Sequence, residues 1–419
     1  MNNGEDWIID CDAHVIEPPG VWADRLPRKY QDIGPRFLKD DDGWAWFYED
    51  IRVPILGPLV SGPEHVSQKK PSGIGFEDFH PACYDPYARV EAMNADRVLA
   101  QMVFPNFPRF CGQTFHEAHD HELGMLCVQA YNDWLIDEWG GAAPGRFIPT
   151  VLIPLWDPKR GATELERCAG KVDGGFGVCL SEDPYQLGLP SLYDANGYWD
   201  PILATCQDAG IVACTHLGSS SFRFPTPPDA PPITAAIQGM VASPLRAWMD
   251  WIVSGKLQQY PGLRVSLTEG QAGWAPFAML ELERYMTDDK DYIMHWLKRP
   301  EDLRQLVRDH FCYVIADDPV GLAHVDLLGI ENFCVETDFP HEQTKWPRSA
   351  DLFREQLGGF SEADQLRLLS GNARRIFNFT PAEAPSDEVV AKARVKAEAY
   401  RDTERERTLP EAYEGLIPA

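Results

Sequence analysis

Short apolar runs alternate with amphipathic stretches along most of the chain. Runs of four to eight apolar residues bounded by turn residues are typical of buried strands, whereas apolar residues at three- and four-residue spacing are typical of helices. The pattern predicts eight strands, at 7–11, 98–104, 147–152, 175–180, 211–215, 264–268, 311–315 and 332–337. It predicts helices at 86–95, 116–139, 158–169, 201–209, 234–251, 274–285 and 362–377.

Repeated strand-then-helix units favour an α/β fold with a parallel sheet, and eight of them favour a closed (β/α)8 TIM-type barrel. A doubly wound open sheet is the alternative, although it normally contains fewer strands. The first strand is not followed by a glycine-rich phosphate turn, which weakens a dinucleotide-binding interpretation.

Two segments fall outside the strand–helix pattern. Residues 18–84 are rich in proline, glycine and aromatic residues, and we expect a long insertion after the first strand that either roofs the pocket or packs on itself. Residues 381–419 are charged and helix-prone, which predicts a C-terminal helical extension packed on the barrel or on a partner subunit. The barrel domain is therefore predicted to span residues 1–380.

Composition and charge narrow the range of partners and compartments. The 419 residues are 44% hydrophobic with a formal net charge of −26, which argues against nucleic acids and anionic membranes as partners. No apolar stretch is long enough to cross a bilayer. Ten cysteines without CxxC pairs, and an acidic N-terminus without an apolar signal core, favour a reducing cytoplasm.

Acidic and imidazole side chains recur where predicted strands end. Asp12 and His14 are two residues apart, so on a strand they point to the same side. His216, Glu269 and Asp338 follow the fifth, sixth and eighth predicted strands. Because barrel enzymes place their catalytic groups at the C-terminal ends of the strands, these five side chains are predicted to form one site.

Mixed histidine and carboxylate ligands with an open position are typical of catalytic zinc. We predict one divalent ion held by Asp12, His14, His216 and Asp338, with Zn²⁺ favoured and Mn²⁺ or Fe²⁺ also compatible with these ligands. Such an ion lowers the pKa of a bound water to about 7. Glu269 and Asp338 are the candidate catalytic groups for moving protons.

Several stretches resemble the amidohydrolase superfamily, in the branch that contains aminocarboxymuconate-semialdehyde decarboxylase and the resorcylate-type decarboxylases. They are IDCDAH at 9–14, THLGS at 215–219, ETDFPH at 336–341 and GNARR at 371–375. The resemblance spans about residues 7 to 378. It implies that His14 and His216 are metal ligands, that Asp338 is the last-strand aspartate, and that the protein is a homodimer.

The chain departs from the superfamily pattern at three positions of the expected site. Glu269 stands where the catalytic histidine of the sixth strand is expected. The end of the fourth strand reads VCLS at 178–181 and lacks the lysine of two-metal members, which favours a single metal. Asp12 replaces the first histidine of the usual His-x-His motif, as in the resorcylate-type members.

Two reactions fit this site, and both would act on a small-molecule substrate. The first is metal-dependent hydrolysis of an amide, lactone or activated C–C bond of a small cyclic or aromatic acid, which a carboxylate at Glu269 slightly favours. The alternative is metal-dependent, non-oxidative decarboxylation of an aromatic or unsaturated carboxylic acid, which the resemblance favours. A catalytically inactive binding barrel is the third possibility, and the complete ligand set argues against it.

Three further side chains are candidates for binding the substrate. His341 lies three residues after Asp338, and Arg109 and Arg223 lie in loops after the second and fifth strands. Either arginine could hold a carboxylate with two hydrogen bonds. Ordinary loop or surface positions are the alternative for all three.

Overall fold

Eight parallel strands close into a barrel in the computed structural model, which describes residues 7–60, 62, 72–231, 233–288 and 300–405. The strands in chain order are β1 (Ile8–His14), β2 (Arg36–Asp40), β3 (Gly43–Tyr48), β4 (Ile51–Pro54), β5 (Val98–Phe104), β6 (Phe147–Val151), β7 (Gly177–Leu180), β8 (Val212–His216), β9 (Arg264–Thr268), β10 (Phe311–Ile315) and β11 (Phe333–Val335). The barrel order is β1-β11-β10-β9-β8-β7-β6-β5, and β5 pairs with β1.

Helices follow most of the barrel strands, which confirms the predicted (β/α)8 barrel. The α-helices are Gly20–Ala23, Pro86–Ala95, Gln113–His116, His121–Asp133, Pro158–Ala169, Asp200–Ala209, Ile233–Val253, Lys256–Gln259, Ala275–Asp288, Leu303–His310, Pro319–Leu322, Val325–Leu328, Ser349–Gln356, Glu362–Leu366, Asn372–Ile376 and Asp387–Arg405. Short 3₁₀ turns lie at Arg28–Tyr30, Gly57–Leu59, Pro81–Cys83, Pro184–Leu187 and Ile330–Asn332, and π-helical turns at Trp134–Gly140 and Arg367–Gly371.

The barrel strands are apolar along almost their whole length because both of their faces are covered. Every residue of β5, β6, β7, β8, β10 and β11 is buried. One face packs in the barrel interior and the other against the surrounding helices, so these strands lack the polar alternation of a half-exposed sheet. This is the pattern from which the fold was predicted.

The first strand runs further than the sequence suggests. β1 continues to His14, because Ala13 and His14 still pair with Val103 and Phe104 of β5. Asp12 and His14 therefore lie within the strand, not in the loop after it. A strand holds their side chains more rigidly than a loop would.

The helix predicted at 116–139 is interrupted. A short helix ends at His116, and the Asp120 carboxylate accepts hydrogen bonds from the backbone N–H groups of Glu122 and Leu123 to start a new helix. An aspartate at this position satisfies N–H groups that a helix start leaves without partners. The change in chain direction at 117–120 follows from this cap.

The insertion and the C-terminal extension both contain regular structure. β2, β3 and β4 form an antiparallel sheet, and Trp46 of β3 packs on Trp22 and Phe107 with ring centroids 5.1 and 4.9 Å apart. The helix Asp387–Arg405 lies against Pro86–Ala95, where Arg394 Nε donates to the Ala95 carbonyl. The division into a barrel domain, 1–380, and an extension, 381–419, stays a prediction, and residues 406–419 lie outside the described part of the chain.

None of the described helices is both long and apolar enough to cross a lipid bilayer.

Candidate active site

Four buried side chains converge at the C-terminal end of the barrel. Asp12 and His14 come from β1, His216 from the end of β8, and Asp338 from the loop after β11. His14 Nε2 lies 3.4 Å from Asp12 Oδ1 and 3.2 Å from Asp338 Oδ1, and His216 Nε2 lies 3.2 Å from Asp12 Oδ2. The structure thus brings together the four side chains that the sequence predicts as metal ligands.

The polar atoms of this cluster fit a divalent cation. Within the described part of the chain, both Asp12 carboxylate oxygens and Nε2 of His14 and His216 are buried without a hydrogen-bond partner. Burying polar atoms without partners costs free energy unless another group satisfies them. Ligand atoms of Asp12, His14 and His216 lie within 4.8 Å of one another, and imidazole with carboxylate is a ligand set that binds divalent metals.

The ring of His216 is held in the orientation that metal binding requires. Its Nδ1 lies 2.7 Å from the Leu217 carbonyl oxygen, so a proton on Nδ1 is donated to that carbonyl. The lone pair on Nε2 then faces the cluster. Phe110 stacks on the ring with centroids 4.1 Å apart and planes 6° apart, which restricts rotation of the imidazole.

Burial and neighbouring charges shift the pKa values inside the cluster. Burial, with the charges of Asp338 and Asp10, raises the pKa of Asp12 well above its ordinary value. Burial lowers the pKa of His14, and nearby His341 adds to this effect. Burial acts to raise the pKa of Asp338, but the imidazoles of His341 and His14 outweigh it and hold that pKa below its ordinary value.

Glu269 follows β9 directly and reaches the edge of the cluster. Its backbone has a φ of +55°, and its carboxylate Oε2 lies 3.8 Å from His216 Nδ1. Burial, and next the charge of Asp338, raises the pKa of Glu269 well above its ordinary value. The geometry places a carboxyl group beside the ligands but outside direct hydrogen-bond distance of His216.

Two further buried glutamates belong to the same region, and the sequence analysis missed both. Glu182 Oε1 accepts hydrogen bonds from Gly218 N and Ser220 Oγ at 3.1 and 2.8 Å. Glu336 Oε2 accepts from Glu269 N at 3.1 Å. Each glutamate lies one or two residues after a barrel strand, so the strand-end rule that selected Glu269 could have found both.

A buried network behind the cluster ties the first barrel strand to the last. The Asp10 carboxylate accepts hydrogen bonds from Thr337 N at 2.8 Å, Thr337 Oγ1 at 2.5 Å and Gln101 Nε2 at 2.8 Å. Arg89 donates to Gln101 and to the His14 carbonyl. These contacts fix the backbone on both sides of Asp12 and just before Asp338.

The predicted substrate-binding residues occupy different surroundings. His341 is buried, with Nδ1 2.7 Å from Asp338 Oδ1. Arg109 pairs with Glu117 at 2.9 Å and also donates to Ser221, whereas Arg223 is exposed. None of the three is among the described residues that line the cleft beside Asp338, so their role in binding substrate stays a prediction.

A cleft of about 620 Å³ opens beside the cluster. Glu269, Glu336 and Asp338 form its inner wall, and Lys345 and Phe353 are among the residues further out. This volume lies within the range of small-molecule sites. A small organic acid can therefore reach the cluster from this side.

A parallel barrel with histidine and carboxylate ligands at the C-terminal ends of its strands defines a metal-dependent barrel enzyme. The family model of the amidohydrolases (Amidohydro_2) matches residues 9–379, and the chain belongs to this family. It is therefore an enzyme of the hydrolase or carboxy-lyase type, as the sequence analysis predicted.

Two curated relatives carry decarboxylase names. The chain is 24% identical over 330 residues to 2-amino-3-carboxymuconate-6-semialdehyde decarboxylase of Dictyostelium discoideum, covering 78% of this chain and 86% of the relative. It is 26% identical over 267 residues to gamma-resorcylate decarboxylase of Polaromonas sp., covering 59% of this chain and 74% of the relative.

Solved structures of similar fold include an amidohydrolase from Mycobacterium avium subsp. paratuberculosis, with a TM-score of 0.66 and 22% identity. That alignment covers 88% of this chain and 99% of the other. A 5-carboxyvanillate decarboxylase from Novosphingobium aromaticivorans, complexed with manganese and a nitrobenzoic acid, has a TM-score of 0.61 and 14% identity over 90% of this chain and 98% of the other. At these identities the likeness establishes the fold.

Proposed function

We propose that this enzyme is a metal-dependent, non-oxidative decarboxylase of a small aromatic or unsaturated carboxylic acid. The proposal rests on the convergence of Asp12, His14, His216 and Asp338 beside an open cleft, where Asp12, His14 and His216 carry buried polar atoms without hydrogen-bond partners. The decarboxylase names of the two relatives favour this reaction over hydrolysis, which the sequence analysis had placed first on the strength of Glu269.

Asp12, His14, His216 and Asp338 would hold a divalent cation, which would supply positive charge to bind the acid and to stabilise negative charge that develops on the substrate as CO₂ leaves. We propose Zn²⁺ as that cation, with Mn²⁺ or Fe²⁺ as the alternatives. The manganese in the 5-carboxyvanillate decarboxylase structure makes Mn²⁺ the second ion to test.

Decarboxylation replaces a C–CO₂⁻ bond by a C–H bond. The substrate carbon therefore gains a proton, and CO₂ leaves without any net oxidation or reduction. Glu269 is the proposed proton donor, because its carboxyl group lies in the cleft and burial raises its pKa, which favours the protonated form more than in an ordinary glutamate. Asp338, whose pKa is lowered, suits the role of an ionised ligand that can assist the transfer.

Hydrolysis of an amide, lactone or activated C–C bond is the second candidate. The specific observation in its favour is the carboxyl group of Glu269 at the strand end where the resemblance implies a histidine. An ionised Glu269 could accept a proton from an attacking water. The two reactions therefore assign opposite starting protonation states to the same residue.

An isotope experiment separates the two reactions. Protein loaded with Zn²⁺ or Mn²⁺ is incubated with hydroxybenzoates, unsaturated diacids, and cyclic amides and lactones, in parallel in D₂O and in H₂¹⁸O. Decarboxylation gives CO₂ and one deuterium on the product carbon, whereas hydrolysis gives ¹⁸O in a new acid without CO₂. His216→Ala is the matched control and should give neither product.

We also propose that the protein is a cytoplasmic homodimer. Ile233, Ile237 and Val241 are exposed at four-residue spacing on one helix, and apolar side chains arranged in this way suit contact with a second copy. All ten cysteines are buried and none lies in a disulfide, which agrees with a reducing compartment. Light scattering after gel filtration tests the dimer, and thiol titration of unfolded, non-reduced protein should count ten thiols.

A further inference from the structure

The charged side chains that line the cleft beside the metal cluster are predominantly acidic. Among the described residues that line it, Glu269, Asp317, Glu336, Asp338 and Glu355 carry carboxyl groups. Lys345 is the lysine among them, and the described lining contains no arginine. Lys345 is exposed, so water screens its charge.

The acidic groups lie at two depths. Asp338 and Glu336 are buried at the inner end. Asp317 and Glu355 are exposed further out, where Asp317 Oδ1 accepts from Gln356 Nε2 at 3.0 Å. A ligand that fills the cleft therefore meets carboxyl groups along its whole length.

A cation at the cluster can offset the charge of only one part of the substrate. The carboxylate that is lost must lie against that cation, whereas the rest of the molecule projects into the cleft. A second carboxylate there would face Asp317 and Glu355, which are exposed and screened by water as Lys345 is, so two like charges outweigh one lysine and repel the added carboxylate. Amino and hydroxyl groups can instead donate hydrogen bonds to the carboxyl oxygens.

The apolar part of the lining is compatible with a single ring. Met240, Leu352 and Phe353 contribute side chains to the cleft, and flat apolar rings pack favourably against such surfaces. The volume of about 620 Å³ leaves room for substituents on the ring.

We infer that the substrate is a monocarboxylic acid whose other polar substituents are hydrogen-bond donors, and that the cleft selects against a second carboxylate. The inference rests on the proposed function, because it assumes that the carboxylate to be lost binds at the metal cluster. It assigns specificity to Asp317 and Glu355, which lie outside the metal ligands.

Binding of two matched acids to the metal-loaded protein tests this selectivity without relying on turnover. The probes are 5-amino-2-hydroxybenzoate and 4-hydroxybenzene-1,3-dicarboxylate, which share the 2-hydroxybenzoate unit and differ by an amino group or a carboxylate at one ring position. Calorimetry should give a Kd for 5-amino-2-hydroxybenzoate that is at least about tenfold lower than the Kd for the dicarboxylate, a difference equivalent to about 1.4 kcal/mol.

The outer carboxyl groups are then neutralised in the double variant Asp317→Asn, Glu355→Gln. This variant should bind the dicarboxylate several-fold more tightly, because the repulsion between its second carboxylate and the two cleft carboxylates is removed. The Kd of the amino compound should stay within about twofold of its original value. The control is Glu166→Gln, Asp208→Asn, which removes the same two charges from exposed positions outside the cleft. The control should leave the ratio of the two Kd values unchanged.

Three results decide the selectivity, and a fourth separates it from the proposed reaction. Equal or tighter binding of the dicarboxylate by the unaltered protein overturns the inference, and so does an equal change of the ratio in the cleft and control variants. Preference for the amino compound, abolished by the cleft variant alone, supports it. If that preference holds but no acid loses CO₂, the decarboxylase proposal fails while the selectivity stands.

Discussion

The imidazole rings of His14 and His341 stack with their centroids 3.8 Å apart and their planes 16° apart. Both rings approach the same oxygen, since Asp338 Oδ1 lies 3.2 Å from His14 Nε2 and 2.7 Å from His341 Nδ1. The loop after the last barrel strand thus folds back onto the first strand. His341 thereby contacts the metal-ligand cluster without lining the cleft.

The first prediction concerns the metal ligands. Purified protein should contain about one divalent ion per chain, and His216→Ala should lose it because a direct ligand is removed. We expect a loss of affinity at least as large as the ~10–100-fold that removal of supporting residues usually causes. Elemental analysis and chelator competition measure both quantities. Two ions per chain would contradict the single-metal assignment, and full retention in His216→Ala would contradict the ligand assignment.

The second prediction concerns the pH dependence of metal binding. Burial and neighbouring charges raise the pKa of Asp12 without metal, whereas the pKa of His14 is lowered. A proton on Asp12 competes with the cation, and His14 is neutral and ready to bind. Affinity should therefore weaken as the pH falls, by up to about tenfold per pH unit for each proton released. Calorimetry in buffers of different ionisation enthalpy counts those protons, and a count of zero would refute the prediction.

The third prediction concerns Glu269. Glu269→Gln keeps the shape of the side chain but removes its acidic proton, so CO₂ release should fall by about a hundredfold or more. The metal content should not change, because Glu269 lies outside the ligand cluster. If turnover is nearly normal while Asp338→Asn abolishes it with metal retained, Asp338 is the proton shuttle instead.

The fourth prediction concerns Glu182, which we expect to position His216 through the adjoining loop. Glu182 Oε1 accepts hydrogen bonds from Gly218 and Ser220, and Gly218 is two residues from His216. Glu182→Ala should weaken metal binding by about tenfold or more. Glu182→Gln retains an amide oxygen that accepts the same bonds and should restore most of the affinity. An unchanged metal Kd in the alanine variant would show that the loop holds its shape without Glu182.

The fifth prediction concerns stability and Glu17. Its carboxylate accepts hydrogen bonds from Asn106 N and Phe107 N at 2.8 and 3.0 Å, and burial raises its pKa from 4.5 to about 7. Between about pH 4.5 and pH 7, Glu17 loses its proton in the unfolded chain but keeps it in the folded chain. The free energy of unfolding should therefore fall as the pH rises. The slope attributable to Glu17 is at most about 1.4 kcal/mol per pH unit.

Denaturant titrations of Glu17→Gln between pH 5 and pH 7 test that slope. The variant should lose less stability across this interval than the unaltered protein, whatever its absolute stability. Glu166→Gln, at an exposed position, serves as the control and should follow the unaltered protein. Parallel curves for all three proteins would argue against a proton on buried Glu17.

The barrel fold and the strand-end residues of the site could both be predicted from the sequence, and for the same physical reason. Strands buried on both faces leave continuous apolar runs, and the residue that ends such a run lies at a known level of the barrel. His216 and Glu269 were located in this way.

Loop side chains were harder to place, because their direction depends on packing between distant segments. Arg109 carries a φ of +62° and pairs with Glu117, and no local pattern encodes that choice. The break in the predicted helix at 116–139 had a local signal in Asp120, but the apolar spacing on either side outweighed it. Glu182 and Glu336 follow barrel strands as Glu269 does, but the strand predicted at 332–337 extends past Glu336, and Glu182 lies two residues beyond the end of its strand.

The hydrogen bond from Thr337 N to Asp10 joins residues 327 positions apart, and the ligands Asp12 and Asp338 are separated almost as widely along the chain. During synthesis on the ribosome, the first half of the cation site therefore emerges long before the second. We expect the nascent chain to have little ability to capture metal until the last barrel strand has left the exit tunnel. The cation would then link the first barrel strand to the segment that follows the last one. Its removal should destabilise the pairing between these two strands before the rest of the barrel.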